Sequence, residues 1–295
     1  MIITIFTPTY NRAYLLPRLY ESLKKQTFKN FEWLIVDDGS TDDTRDLVDG
    51  WMNEGLLAIR YYYQDNGGKH RAINKGVPLA KGEWFFIVDS DDYLPDNSLE
   101  IANKWMKSVE NDETFAGVCG LREINGWIPD LKFKFLDLSP LRIKHIIKVD
   151  KAEIFRTKIL QNYPFPNFTG ENFCAESLIV NRIGLSYNIR YFNEIIYKCK
   201  YLRDGLTSNM VKNRRLSANY TSLLYKELLT NAPLFIDKVR ASICFWRFVW
   251  YTRKTKAFIK IPFWAFFMMP IGVMFWLKDN YVLHLMKNNY SYANA

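Results

Sequence analysis

Cysteine is scarce in this chain: four residues in 295, at Cys119, Cys174, Cys199 and Cys244. None stands at metal-ligand spacing from another. That argues against a thiolate zinc site and leaves small buried hydrophobes in a reducing compartment as their expected role. Long apolar runs are lacking too. The uncharged segment from 261 to 277 has 17 residues and contains Pro262 and Pro270, whereas a spanning helix needs about 20 residues. No repeat or low-complexity stretch occurs. The amino terminus has no apolar signal-like core, because Ile2–Phe6 reads as a strand and Pro8 and Arg12 follow at once. On that expectation the sequon Asn167-Phe168-Thr169 is accidental. Acidic residues are missing from the carboxyl-terminal third. Residues 205–295 hold 13 Lys and Arg against Glu227, Asp237 and Asp279, a net of +10. The rest of the chain is close to neutral, so the basic tail points to an anionic partner.

What is present is an alternation of short strands and helices. Strands are expected at Ile2–Phe6, Phe31–Val36, Leu57–Tyr63 and Glu83–Val88. Helices are expected at Ala13–Gln26, from a cap box at Ser40 and Asp43 to Met52, and from about Arg71 to Leu79. This pattern predicts an α/β fold with a doubly wound, mainly parallel sheet. Further strands are expected at Thr114–Leu121 and Arg190–Tyr201, and a short helix at Glu176–Ile183. In such sheets ligands bind beyond the carboxyl ends of the strands. Four polar loops fall there, at 7–12, 37–41, 66–71 and 89–92. Their convergence on one edge weighs more than any single loop.

The sharpest of these loops is Asp89-Ser90-Asp91-Asp92, directly after the apolar run 84–88. Adjacent carboxylates raise one another's pKa values, so a cation is the economical explanation. With no His or Cys nearby the donors suit Mg²⁺ or Mn²⁺, and sites of that kind are commonly completed by substrate phosphates. The competing explanation is an acidic turn capping the next helix. Gly67-Gly68-Lys69 lets backbone approach a phosphate, with Lys69 or Arg71 supplying charge. His70, between them, is expected to be packed or exposed rather than a ligand.

Taken together, Thr7-Pro8-Thr9-Tyr10-Asn11-Arg12, Val36-Asp37-Asp38-Gly39-Ser40-Thr41-Asp42, Gly67-Gly68-Lys69-His70-Arg71-Ala72-Ile73-Asn74 and Val88-Asp89-Ser90-Asp91-Asp92 resemble, in order and approximate spacing, the motifs of family 2 glycosyltransferases. Those are inverting enzymes of the GT-A fold, and the resemblance covers about residues 1–204. It implies that Thr7, Pro8 and Tyr10 line a nucleoside pocket and that Asp38 accepts a hydrogen bond from the base. It implies that Asp91 ligates Mn²⁺ or Mg²⁺ on the diphosphate, with Asp89 holding ribose or sharing the metal and Asp92 supporting both. It further implies a general base. Glu176, six residues before Arg182, matches that spacing, although Cys174-Ala175 replaces the usual acidic neighbour. Glu171 competes for the role.

The expected division is 1–122 for nucleotide-sugar binding, 123–204 for the acceptor half of the same domain, and 205–295 for a helical tail. Within the tail, residues 238–260 carry seven Lys and Arg and no acid. Arg240, Arg247 and Lys254 recur at seven-residue spacing on one expected helix face. The aromatic run 261–277 follows. A basic amphipathic helix next to an aromatic segment fits a surface-embedded anchor on anionic membrane through 238–277. Packing as core and a true span are the alternatives. The expectation is a nucleotide-sugar donor, a glycan or lipid-linked glycan acceptor, a place on the inner face of the cell membrane and no nucleic acid. A processive synthase with several membrane spans does not fit this chain. A nucleotidyltransferase of related fold and a basic nucleic-acid-binding protein are the rivals.

Overall fold

The computed structural model describes residues 2–129, 131–200, 209–252 and 261–292, with side chains through Tyr281. The chain forms two compact units, one of residues 1–165 and 178–208, the other of 166–177 and 209–295. Residues 166–177 thus group with the tail rather than with the sequence on either side.

The first unit is built from β1 (Ile3–Thr9), α1 (Leu16–Lys24), β2 (Phe31–Asp37), α2 (Thr44–Glu54), β3 (Ile59–Tyr63), α3 (Lys69–Leu79), β4 (Trp84–Ile87), α4 (Ser98–Lys107), β5 (Phe115–Ile124), β6 (Phe135–Leu138), α5 (Pro140–Ile143), β7 (Lys151–Arg156), α6 (Thr157–Leu160), α7 (Ser177–Ile183) and β8 (Asn188–Cys199). One eight-stranded sheet has the order β3-β2-β1-β4-β7-β5-β8-β6. The first four strands pair in parallel. Beyond them the sheet is mixed: β7 runs antiparallel to both β4 and β5, β8 parallel to β5, and β6 antiparallel to β8. The expected parallel sheet is therefore only half of the one observed. β7 escapes a periodicity reading because Lys151, Glu153 and Arg156 leave Ala152, Ile154 and Phe155 as its apolar content, yet all three are buried.

Helices cover both faces of the sheet. Ile3 and Ile5 of β1, Trp33 and Ile35 of β2 and Phe86 of β4 share a cluster with Leu16, Leu19 and Leu23 of α1, Val48 and Trp51 of α2 and Leu99, Ala102 and Trp105 of α4. Each such fully buried aliphatic side chain contributes about 1.5–3 kcal/mol relative to exposure. Phe6 points to the opposite face, where it stacks on Phe85 at 5.0 Å. A Cβ at Gly76 of α3 would lie 2.1 Å from the Phe6 ring, so only glycine lets α3 pack this close. The cap box expected at Ser40 and Asp43 is not what starts α2. The carboxylate of Asp42 accepts from the Thr44 N–H and hydroxyl, while Ser40 turns elsewhere.

The second unit contains α8 (Met210–Leu216), α9 (Ala218–Asn231), α10 (Phe235–Phe248), a 3₁₀ turn at Phe263–Met268 and α11 (Met269–Tyr292). Leu229, Ala241, Phe245, Trp246, Val249 and Ala265 form its core. The Trp246 indole and the Ser242 hydroxyl both donate to the Ala265 carbonyl, at 2.7 and 3.0 Å. The inner face of the aromatic run is thus core of this unit, and the purely surface-embedded expectation is corrected to that extent. Its other face is exposed. Among the described residues no helix is long and apolar enough to cross a membrane, so the spanning alternative finds no support there. Of the expected basic stripe, Arg240 and Arg247 lie on α10, which ends at Phe248, Arg247 is paired bidentately with Asp279, and Lys254 lies outside the described residues.

Candidate active site

The four polar loops after β1 to β4 are joined side chain to backbone. Asn11 occupies the left-handed region at φ 50°, which Asn tolerates better than most residues. Its N–H donates to Ser40 Oγ at 2.8 Å and its Oδ1 accepts from Thr41 N at 2.8 Å. The Ala13 N–H donates to Asp42 at 3.0 Å. These bonds lock the first loop to the second. Within the second, Asp37 accepts from Ser40 N at 2.7 Å and from the Tyr61 hydroxyl at 2.6 Å.

Asp38 ties the second loop to the third. It is buried, and its oxygens accept from Gly67 N at 2.9 Å, Gly68 N at 2.7 Å and Gln64 Nε2 at 2.7 Å. A carboxylate has about four acceptor positions, so three are already filled by the chain. Asp38 thereby shapes the glycine loop. Thr7 is fully buried, and its hydroxyl accepts from the Trp33 indole at 2.9 Å. Pro8 is buried beside it, whereas Tyr10 is 47% exposed and offers a ring face.

The third loop reaches the fourth through Lys69, whose Nζ lies 2.5 Å from Asp89 Oδ1. Gly68 starts α3 at φ 94°, and the Arg71 side chain folds over Gly67 where a Cβ would sit. His70 is buried against Phe165, and burial followed by the Arg71 charge lowers its pKa to about 4. It is a packed, neutral histidine at neutral pH.

Asp89, Asp91 and Asp92 can bring one ligand oxygen each within 4.8 Å of one another. Burial and then the Asp89 and Asp91 charges push Asp92 up to about 7. Burial and then Asp89 also raise Asp91. For Asp89 burial acts upward, but Lys69 and Arg122 outweigh it and hold the carboxyl below its usual range. Three crowded carboxylates with no imidazole or thiolate among them fit Mg²⁺ or Mn²⁺. The capping alternative fails, because the residue before α4 is Asn97, five residues past the cluster. One partner of this loop went unnoticed in the sequence. Tyr197 of β8 contacts it through its hydroxyl, and a tyrosine 105 residues away from Asp92 carries no local signal.

The second unit holds both candidate bases. Glu171 is buried. It accepts from Asn219 N at 2.9 Å, Asn219 Nδ2 at 2.7 Å and Tyr220 N at 3.1 Å, which caps the first turn of α9. Glu176 is partly exposed and directly precedes α7.

Residues 4–163 match the family model described as glycosyl transferase family 2. GlyG, a glycosyltransferase of Streptococcus pneumoniae, is 34% identical over 126 residues, 42% of each protein. TarS of Staphylococcus aureus, a poly(ribitol-phosphate) β-N-acetylglucosaminyltransferase, is 30% identical over 167 residues, 55% of this chain and 29% of that protein. The matched segments thus span less than half the length of these relatives. The crystal structure of TarS residues 1–349 with UDP-GlcNAc superposes with a TM-score of 0.66 at 23% identity, covering 92% of this chain and 79% of that one. A Pyrobaculum calidifontis mannosyltransferase in complex with GDP-Man and Mn²⁺ gives 0.57 at 17% identity, over 99% and 80%. At these identities the structural likeness shows the fold. With a family model matching more than half of this chain and the four motif loops joined on one edge of the sheet, the chain belongs to glycosyl transferase family 2.

Proposed function

We propose that this glycosyltransferase moves one sugar from a UDP-sugar, with inversion, to a hydroxyl of a glycan acceptor, using Mn²⁺ or Mg²⁺. One observation carries the reading: contacts run from Asn11 to Ser40, from Ser40 to Asp37, from its neighbour Asp38 to the glycine loop, and from Lys69 to Asp89. Tyr10 lies at the start of that series and the acidic cluster at its end, as a nucleoside and a diphosphate would require. Tyr10 would stack on the base, beside Pro8, and the remaining acceptor position of Asp38 would meet a base N–H. Lys69 and Arg71 would place positive charge on the diphosphate. Asp91 and Asp89 would hold the metal, which would supply charge for the leaving nucleoside diphosphate without proton transfer. Glu176 would take the proton from the attacking hydroxyl as it adds to the face opposite the leaving group.

For the acceptor and the location we propose a lipid-linked glycan presented at the inner face of the cell membrane, in the assembly of a surface polysaccharide. Support comes from the basic tail and the exposed aromatic face of the second unit. The UDP preference is supported by TarS, whose crystal structure contains UDP-GlcNAc, while the mannosyltransferase with GDP-Man marks the alternative base. The test is thermal unfolding with UDP-GlcNAc, UDP-glucose and GDP-mannose, each with Mn²⁺ or EDTA. A UDP-sugar at 100 times its Kd should stabilise the protein by about 2.7 kcal/mol, and less in EDTA. Stronger protection by GDP-mannose would overturn the UDP assignment. Equal protection in EDTA would overturn the metal.

A further inference from the structure

We propose that Tyr197 is a positioning residue for the metal site, holding the Asp89–Asp92 loop in its ligand-presenting shape from a distant strand. The proposal rests on the reading of Asp89 and Asp91 as metal ligands. Tyr197 is fully buried near the end of β8, a strand separated from β4 in the sheet by β7 and β5. Its hydroxyl accepts from the Asp89 N–H at 3.0 Å and donates to Asp92 Oδ2 at 2.8 Å. One oxygen therefore grips both ends of the acidic loop, by backbone at one end and by side chain at the other.

The surroundings fix that oxygen. The Tyr197 ring meets Phe86 edge-on at 6.0 Å, and the Arg122 guanidinium lies 4.1 Å from the ring centroid. Arg122 is itself held, donating from Nε to the Lys151 carbonyl at 2.7 Å. The next residue, Lys198, makes a reciprocal pair of backbone hydrogen bonds with Tyr93, at 3.1 and 2.9 Å. Residues 197 and 198 thus clamp residues 89–93 from the side. Asp92 N also bonds to Asp89 O at 3.1 Å, closing the loop on itself. With Asp92 held by the tyrosine, the loop keeps one conformation, and Asp89 and Asp91 are presented to a cation. Without the hydroxyl, Asp92 loses a donor, the partly buried Asp89 N–H loses its acceptor, and the loop has less reason to stay in this shape. Partners that orient metal ligands are worth about 10–100-fold in metal affinity.

The experiment uses the full chain and reads Mn²⁺ binding directly, by the electron-paramagnetic-resonance signal of free Mn²⁺ in the presence of UDP. Tyr197→Phe keeps the ring and its Arg122 contact. It should weaken Mn²⁺ binding about 10–100-fold, leave UDP binding in EDTA unchanged, and recover turnover when Mn²⁺ is raised. Tyr191→Phe, on the same strand and equally buried, should do none of this and controls for a general loss of stability. Wild-type Mn²⁺ affinity in Tyr197→Phe would overturn the proposal while leaving the metal site standing, provided Asp91→Ala abolishes binding. A turnover loss that Mn²⁺ cannot rescue would overturn it in favour of a purely structural role. Unchanged Mn²⁺ binding in Asp91→Ala would remove the metal reading and this proposal with it.

Discussion

Glu171 and Glu176 are five residues apart and chemically identical, and their surroundings differ. Glu171 spends its oxygens on the amides that open α9, where a negative charge also favours the positive helix end. Glu171→Gln should cost about 0.5–2 kcal/mol of stability, as lost caps do, with turnover per folded molecule retained. Glu176→Gln should lose about 10²–10⁴-fold in turnover and keep donor binding. Rates at saturating donor, alongside melting curves, separate the two, and the reverse pattern would make Glu171 the base. Sequence spacing favoured Glu176 over Glu171 but could not show that Glu171 is engaged, because its partner Asn219 is 48 residues further on. The same limit applies to Thr7. Its place in a motif suggested a pocket, while the Trp33 indole that claims its hydroxyl belongs to another strand.

At the scale of elements, the parallel half of the sheet was legible because each strand there is an apolar run ending in polar turn residues. The other half was not. β7 is short and charged, β6 has only four residues, and what makes them strands is their neighbours. The loops were legible one at a time as motifs, whereas their locking together was not. Gly39 shows what that locking demands. Its φ is +90°, and a Cβ there would lie 2.7 Å from the backbone nitrogen of Asn66. Gly39→Ala therefore incurs about 1–2 kcal/mol of left-handed strain and pushes the second loop off the third. Because Asp38 holds Gly67 and Gly68 from that same loop, the damage should reach the phosphate-binding end. The expected result is a folded protein with donor-induced stabilisation reduced at least tenfold in apparent affinity. Gly50→Ala, in the middle of α2 with nothing within 4 Å of the added methyl, should leave donor binding intact. Calorimetric titration of UDP into both variants makes the comparison, and equal affinities would show that the loops are not coupled.

At the scale of the whole molecule, composition announced a basic, aromatic tail but could not say which of its faces is buried. The structure divides the aromatic run. Ala265 and Gly272 pack inward, the latter so closely that a Cβ would lie 2.3 Å from Trp246 Cβ. Phe263 and Phe267 touch each other at 5.7 Å and are 79% and 67% exposed, with Ile271, Met274 and Leu277 exposed further along. Phe235, on α10, joins this surface through a ring contact with Trp264 at 5.3 Å. Exposed large apolar groups grouped in this way mark an interaction surface rather than ordinary scatter. Beside a tail of net charge +10, this surface supports the proposed anionic lipid partner. Each nearby Lys or Arg adds about 1 kcal/mol that salt screens, while aromatic insertion adds a contribution that salt does not weaken. The chain should therefore sediment with anionic vesicles, less at high salt but still measurably, and only weakly with neutral ones. Replacing Phe263 and Phe267 together by glutamate should abolish the salt-resistant part without lowering the melting temperature, because neither side chain is in the core. Unchanged sedimentation of that double variant would show that this face is not the anchor. A large fall in its melting temperature would show instead that the face is covered by protein.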